Sequence, residues 1–176
     1  MSTNDRWTSE NIPDQSGRVA IVTGANSGLG YETARALARK GAKVIMACRN
    51  LEKANPKADE IRDRHADSDV QVMELDLSDL DSVRRFAEAF RAKHSRLDLL
   101  INNAGVTVTG KFDSQSLDDF RWIMDINYWG VVYGCMFFLP LIERAGGGCI
   151  VNLSSLFGLL GVPLQTSYCA TKFAVR

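Results

Sequence analysis

Residues 23–30 read TGANSGLG, and they join the apolar run VAIV at 19–22 to residues 29–40, whose apolar side chains recur at helical spacing. Glycines permit a tight turn and a close approach of the backbone to a ligand. The start of the following helix offers unpaired N–H groups and a partial positive charge to an anion. Three glycines could also serve a simple chain reversal, but their place between a buried strand and a helix predicts a diphosphate-binding loop.

The alternation of a short apolar run with an amphipathic stretch continues along the chain. It predicts strands over 19–22, 43–47, 70–75, 97–101 and 149–153, and helices over 29–40, 51–64, 78–94, 117–142 and from near Thr166. Ser78 is the expected N-cap of the third helix. Apolar strands that alternate with helices predict an α/β fold, a doubly wound, Rossmann-like parallel sheet with helices on both faces.

Length and charge narrow the class of protein. The chain has 176 residues, which suit one domain that buries a core without disulfides or a structural metal. We expect a flexible polar leader over 1–16 and a dinucleotide-binding domain over 17–176. Lys+Arg and Asp+Glu both total 21, so no net charge attracts nucleic acid or an anionic membrane.

The cysteines indicate a reducing compartment. The four thiols form no C-x-x-C pair, and with only two histidines they predict no metal site. Cys48, Cys135 and Cys149 lie in apolar runs and are expected to be buried. We therefore expect a cytoplasmic protein. The most apolar stretch, Tyr128–Ile142, is shorter than a membrane span and predicts a buried helix, so we expect no membrane contact.

Ligands of doubly wound sheets bind beyond the carboxyl ends of the strands, which directs the search to the segments after each strand. The expected cofactor-binding residues after strands one, three and four are Gly24, Asn26, Ser27, Gly28, Leu29, Gly30, Asp76, Leu77, Asn103, Ala104 and Gly105. Turn chemistry is the alternative explanation for the polar residues after strands three and four.

Arg49 follows the second strand, where a carboxylate would bind a ribose 2′-hydroxyl and an arginine would bind a 2′-phosphate. No carboxylate occurs before Glu52, and a guanidinium binds oxyanions in bidentate fashion. The alternative is an ordinary solvated arginine. The sequence predicts that NADP(H) is preferred over NAD(H).

Tyr168 and Lys172 are four residues apart on a predicted helix and therefore share one face. A free phenol is almost fully protonated at neutral pH, and a nearby cation favours the phenolate. Such a pair suits a general acid/base that moves a proton on or off an alcohol. Two residues at this spacing are, taken alone, more often an ordinary surface pair.

Five motifs in one order resemble the classical short-chain dehydrogenase/reductase family. They are TGANSGLG at 23–30, NNAG at 102–105, the lone Asn127, the serines at 154–155 and YCATK at 168–172. The resemblance extends from Gly17 to Arg176. Residues 17–60 look like the retinol-dehydrogenase branch, and the part from Phe112 onward looks like bacterial ketone or alcohol reductases.

The resemblance implies an oxidoreductase that interconverts an alcohol and a ketone or aldehyde by hydride transfer with NADP(H). It assigns Tyr168 as the acid/base, Lys172 to the phenolate and the nicotinamide ribose, and both residues to cofactor binding. Ser155, thirteen residues before the tyrosine, would bind the substrate oxygen, although Ser154 is the alternative. Asn127 would support a water linked to the lysine, and Cys169 would only pack.

The chain ends four residues after Lys172, so we expect it to lack the family's last strands and most of its dimer interface. A non-catalytic NADP(H)-binding module is therefore the alternative function. The apolar segment 157–163 suggests a small hydrophobic alcohol or carbonyl substrate without identifying it.

Overall fold

A computed structural model describes residues 7–176 of the chain. All five predicted strands are present, and the five predicted helices appear as six α-helices, because the helix predicted over 117–142 is divided in two. Most bounds agree with the sequence within two residues. The strands are β1 (Val19–Thr23), β2 (Lys43–Cys48), β3 (Val70–Glu74), β4 (Leu99–Asn102) and β5 (Cys149–Asn152); the helices are α1 (Gly28–Arg39), α2 (Leu51–Arg64), α3 (Leu80–Lys93), α4 (Leu117–Met124), α5 (Gly130–Arg144) and α6 (Thr166–Val175).

The strands form one parallel sheet in the order β3-β2-β1-β4-β5, which confirms the doubly wound α/β prediction. The chain moves outward from β1 to β3 and then returns to place β4 on the other side of β1. This reversal opens a crevice at the carboxyl ends of β1 and β4, where ligands of such sheets bind.

Each face of the sheet has its own apolar core, because successive side chains of a strand point to opposite faces. Ala20 and Val22 of β1 pack with one cluster, and Ile21 packs with the other. The second cluster contains Phe90 and Phe138, whose rings meet edge to face at 5.5 Å. Burying a side chain of this size stabilises the folded state by about 2–3 kcal/mol. Both faces of the sheet therefore depend on the helices that cover them for this burial.

The carboxylate of Asp98 joins the starts of β1 and β4. It is buried, accepts a hydrogen bond from the Val19 N–H at 2.9 Å and pairs with the Arg96 guanidinium. Burial alone would raise the pKa of Asp98, but the hydrogen bonds from Arg96 and Val19 outweigh it and hold that pKa below its usual value.

The long apolar helix predicted over 117–142 is continuous in outline but irregular inside. α4 passes into a π-helical turn over Asp125–Trp129 and then into α5. By length and composition alone, the stretch Leu117–Arg144 could also cross a membrane, with 39% of its most apolar window buried. Phe138, Leu141 and Ile142 pack in the sheet's core cluster, as the predicted core helix requires.

Two local predictions are corrected. The N-cap of α3 is Asp79 and not Ser78, because the Ser78 hydroxyl donates to Asp76 while the Asp79 carboxylate accepts from the Asp81 N–H. Of the three cysteines expected to be buried, Cys48 is buried, Cys135 is only partly buried, and Cys149 is exposed because it lies on β5, one of the two edge strands of this sheet; Cys169 is buried.

The predicted leader over 1–16 lies partly outside the described residues. From Ser9 onward the segment contacts the end of α1, with a 3-10 turn over Ser9–Asn11 and hydrogen bonds from the Arg39 guanidinium to Ser9 and Glu10. The Lys40 ammonium donates to the Glu10 carbonyl at 2.8 Å, and the Gln15 N–H donates to the Lys40 carbonyl at 2.7 Å. These bonds attach residues 10–15 to the end of α1.

Candidate active site

A cleft of about 510 Å³ opens at the carboxyl ends of β1, β2 and β4. This volume lies within the range of small-molecule sites. The cleft collects eleven of the predicted cofactor-binding residues: Gly24, Asn26, Ser27, Leu29, Gly30, Arg49, Asp76, Leu77, Asn103, Ala104 and Gly105. Three predicted cofactor-binding residues, Gly28, Tyr168 and Lys172, are not part of the lining. The φ of Gly28, 53°, lets the chain turn into α1.

The glycine loop is fastened to the end of β4 by hydrogen bonds. The Thr23 hydroxyl accepts from the N–H groups of Asn103 and Ala104, both at 3.0 Å. The Asn103 amide donates to the Thr23 carbonyl at 2.9 Å and also to the Gly24 carbonyl. These bonds fix the relative position of the two segments that form one wall of the cleft.

Gly30 is required because the two segments approach so closely. A Cβ atom on Gly30 would lie 2.4 Å from the Asn103 amide nitrogen and 2.5 Å from the Gly24 carbonyl oxygen. At the start of the same helix, the side chain of the N-cap residue Ser27 makes no capping bond. The first N–H groups of α1 therefore face the cleft without a side-chain acceptor, which suits a diphosphate.

Two cations line the cleft beside β2. Arg49 was predicted from the sequence, whereas Lys53 and the N-cap residue Asn50 were missed. Neither Arg49 nor Lys53 forms an ion pair with the described residues. A lysine in the first turn opposes the helix dipole, so helix stability does not explain Lys53. Its position four residues after Arg49 is the sequence signal that could have identified it.

Asp76 lies in the cleft wall but is already engaged in a turn. Its carboxylate accepts from the Ser78 N–H at 2.9 Å and from the Ser78 hydroxyl at 2.6 Å. Leu77 packs against Gly130, where a Cβ would lie 2.9 Å from a Leu77 methyl group. The role of both residues toward an adenine ring stays a prediction.

Tyr168 and Lys172 share one face of α6, as their spacing predicts. The Lys172 ammonium lies 5.8 Å from the centre of the Tyr168 ring and donates to the Leu153 carbonyl at 2.8 Å. Lys172 is only 4% exposed, and this burial lowers the pKa of its ammonium. Tyr168 is half-buried against the ring of Phe157.

Gly105 joins the cleft to these catalytic candidates. A Cβ on Gly105 would lie 3.4 Å from both the Lys172 nitrogen and the Asn127 amide oxygen. Asn127 is fully buried, and its amide bonds the N–H and the carbonyl of Val106 and the Thr171 hydroxyl. Both of its N–H donors are thus used by protein groups, and its predicted support of a water stays a prediction.

The two serines after β5 have different partners. The Ser154 hydroxyl donates to the Lys172 carbonyl at 2.8 Å, so it fastens α6 to the strand end. The Ser155 hydroxyl oxygen accepts from the Phe157 N–H at 3.2 Å, at the start of the 3-10 turn Leu156–Gly158. The Ser155 proton has no acceptor among the bonds of the described residues, which leaves it the better candidate for a substrate oxygen.

The fold and the site define a dinucleotide-binding α/β protein with a tyrosine–lysine pair at the end of its cleft. The family model "short chain dehydrogenase" matches residues 18–176. The chain belongs to the short-chain dehydrogenase family.

Known proteins agree with this assignment. Mouse retinol dehydrogenase 12 is 43% identical over 145 residues, 82% of this chain and 45% of its own. A metagenomic short-chain oxidoreductase in complex with NADP has a TM-score of 0.85 and 33% identity, covering 91% of this chain and 72% of its own. A gluconate 5-dehydrogenase from Burkholderia cenocepacia J2315, in complex with NADP and tartrate, has a TM-score of 0.83 and 32% identity. The match covers 92% of this chain and 63% of the dehydrogenase chain. The chain spans about half the length of the curated relatives it matches.

Proposed function

We propose that this chain carries the nucleotide cleft and the catalytic residues of an NADP(H)-dependent oxidoreductase that interconverts an alcohol and a ketone or aldehyde. The observation that carries the proposal is the junction at Gly105. It brings the cleft to the Lys172 ammonium, on the helix face that also presents Tyr168. A phenol beside a buried cation at the end of a nucleotide cleft suits proton transfer coupled to carbonyl chemistry.

The chain's own residues supply binding and proton transfer. The N–H groups at the start of α1 would hold the diphosphate, and Lys172 would hold the ribose hydroxyls. The bound nicotinamide supplies the hydride chemistry. In the direction of reduction, the Tyr168 hydroxyl gives its proton to the carbonyl oxygen and the Ser155 hydroxyl donates a hydrogen bond to that same oxygen. Lys172 stabilises the phenolate that remains.

The preference for NADP(H) over NAD(H) rests on Arg49 and Lys53. Both cations line the cleft and form no ion pair with a carboxylate among residues 7–176. The one acidic residue between them in the sequence, Glu52, does not line the cleft. An unpaired guanidinium and an ammonium favour a ribose 2′-phosphate over a 2′-hydroxyl. The two solved relatives described above hold NADP, which supports the same choice.

A hydrophobic substrate fits the surroundings of Tyr168. Phe157 contacts the tyrosine ring, and three leucines that follow it along the chain are about half exposed: Leu159, Leu160 and Leu164. These apolar side chains favour a small apolar alcohol or carbonyl compound over a charged one. The name of the related retinol dehydrogenase points in the same direction.

Location and self-association are further proposals. The four free cysteines support a reducing, cytoplasmic compartment. Trp129, Met136 and Leu139 on the outer side of the long helix are 41–69% exposed, which favours association with a second copy.

A single substitution tests the proposed chemistry. Tyr168→Phe removes the proton donor and keeps the packing of the ring on Phe157. The Kd for NADPH should therefore stay within about twofold of the wild-type value, while the rate of carbonyl-dependent NADPH oxidation falls about 10³-fold. Cys169→Ala, which alters the next residue without touching the acid/base, is the matched control and should keep turnover. Turnover by Tyr168→Phe close to that of the wild type would refute the mechanism.

A further inference from the structure

The loop over 105–110 lies between the nucleotide cleft and the helix that carries Tyr168. Its first residues, Gly105 and Val106, line the cleft. The backbone of Val106 is held on one side by the buried Asn127 amide, which accepts from the Val106 N–H at 2.8 Å and donates to its carbonyl at 2.9 Å. This part of the loop therefore belongs to the cleft.

The other end of the loop is held by Gln165, the residue that precedes α6. The Thr107 hydroxyl donates to the Gln165 side-chain carbonyl at 2.8 Å, and the Gln165 amide donates to the Thr109 hydroxyl at 2.7 Å. A third bond joins the Gly110 N–H to the Leu164 carbonyl at 3.0 Å. Three hydrogen bonds thus bridge two segments that are more than fifty residues apart in the chain.

Gln165 also begins the first turn of α6. Its backbone carbonyl accepts from the Cys169 N–H at 2.8 Å, and Tyr168 lies within the turn that this bond closes. Gln165 therefore contacts the loop through its side chain and the first turn of α6, which carries the tyrosine, through its backbone.

The backbone at Leu164 indicates that this arrangement is imposed by the surroundings. Leu164 has a φ of 67°, in the left-handed region that side chains other than glycine rarely adopt. Such a conformation costs free energy and persists only where neighbouring contacts fix it. Here it turns the chain so that the Leu164 carbonyl and the Gln165 amide both face the loop.

We propose that Gln165 is a positioning residue. Its side-chain amide binds the loop 105–110 by hydrogen bonds, holds this loop against the first turn of α6, and so positions the Tyr168 hydroxyl relative to the nucleotide cleft. This inference rests on the proposed function. It assigns to these hydrogen bonds of Gln165 a role in the proton-transfer step and none in binding the nucleotide, because Gln165 does not line the cleft.

The test compares four forms of the full 176-residue chain. Gln165→Ala removes both side-chain hydrogen bonds to the loop, and Gln165→Glu keeps the acceptor for Thr107 but loses the donor to Thr109. Gln115→Ala is the matched control, because the Gln115 amide donates to the Gly110 carbonyl at 3.2 Å and touches the same loop without reaching α6. Amide hydrogen exchange is measured at Gly110 and Cys169, with NADPH affinity and the kcat and KM of NADPH-dependent carbonyl reduction.

In Gln165→Ala we expect exchange at both amides to be about tenfold faster, kcat to fall about tenfold, and the Kd and KM for NADPH to stay within twofold. Gln165→Glu should fall between Gln165→Ala and the wild type, and Gln115→Ala should leave Cys169 exchange and kcat unchanged. If Gln165→Ala keeps the exchange rates and the kcat of the wild type, the proposed role of the Gln165 hydrogen bonds is wrong. If kcat falls equally in Gln115→Ala, the contact between the loop and α6 does not matter for the reaction. If no form, wild type included, turns over a carbonyl, the proposed function fails, while the exchange at Cys169 still decides whether Gln165 holds α6.

Discussion

The Lys172 ammonium donates a hydrogen bond to the Leu153 carbonyl at 2.8 Å, and this bond joins the middle of α6 to the end of β5. The Leu153 N–H in turn donates to the Asn102 carbonyl at the end of β4. The lysine is therefore anchored to the end of β5 and, through Leu153, to the end of β4. Its charge is held in place by the sheet and does not depend on a flexible side chain finding its position.

Burial of Lys172 predicts a pH dependence of stability. Because burial lowers the pKa of the folded ammonium below its usual 10.5, the unfolded chain binds more protons between the two values, and stability rises with pH across that window. The free energy of unfolding of the wild type should therefore increase relative to that of Lys172→Met as pH rises toward 10.5. Urea unfolding at pH 8, 9 and 10 measures this difference, and a pH-independent difference would contradict it.

Arg49 and Lys53 should set the choice between the two nucleotides. Loss of a charge-assisted contact costs about 1.5–3 kcal/mol, so Arg49→Asp should raise the Kd for NADPH by roughly tenfold to a hundredfold and leave the Kd for NADH nearly unchanged. Lys53→Ala should have a smaller effect of the same sign. Lys57→Ala, on the next turn of α2 and paired with Glu60, is the control. Equal changes in the Kd for NADPH and the Kd for NADH would show that these cations do not bind the 2′-phosphate.

Gly30→Ala should disrupt the wall of the cleft. The added Cβ would lie 2.4 Å from the Asn103 amide nitrogen, and overpacking of this kind costs about 1–3 kcal/mol. We expect a lower free energy of unfolding together with weaker NADPH binding. Gly161→Ala, whose Cβ would meet nothing within 4 Å, should leave both unchanged. Thermal unfolding and fluorescence titration measure the two effects; normal NADPH affinity in Gly30→Ala would argue against the close packing described here.

Asp98→Asn should weaken the start of the sheet. The buried carboxylate binds the Val19 N–H and Arg96, and charged hydrogen bonds contribute about 1.5–3 kcal/mol. Because the pKa of Asp98 is lowered in the folded state, its contribution is present above its unfolded value of 3.8 and is lost as pH falls through the folded value. The stability gap should thus be largest at neutral pH and close in acid. Asp69→Asn, which breaks the exposed pair with Lys43, should cost less than about 1 kcal/mol. Equal losses in the two variants would show that burial of Asp98 adds nothing.

The fold could be predicted because each strand is a short, continuous apolar run bounded by turn residues. The order of the strands could not be read in the same way, and it decides which side chains are covered. Cys149 illustrates this, since its apolar neighbours predict burial, but it is exposed on β5, which is an edge strand. Ser78 shows a second cause, because its hydroxyl is taken by Asp76 and the cap passes to Asp79.

The site could be predicted where one segment of chain carries it. The glycine loop, Arg49 and the pair Tyr168 and Lys172 each depend on local spacing. Contacts between distant segments could not be predicted, among them the bonds of Asn127 to Val106 and of Gln165 to Thr107. They depend on how the π-helical turn over Asp125–Trp129, the start of α6 and the loop after β4 meet in space, which no single stretch of sequence specifies.

We propose that the cleft at the ends of β1, β2 and β4 binds NADP(H) through the start of α1 and the cations beside β2. Parallel calorimetric titrations of the 176-residue chain with NADPH and NADH test it most directly. We expect saturable one-to-one binding of NADPH with a Kd at least about tenfold lower than that for NADH. Binding of neither nucleotide, or tighter binding of NADH, would contradict it.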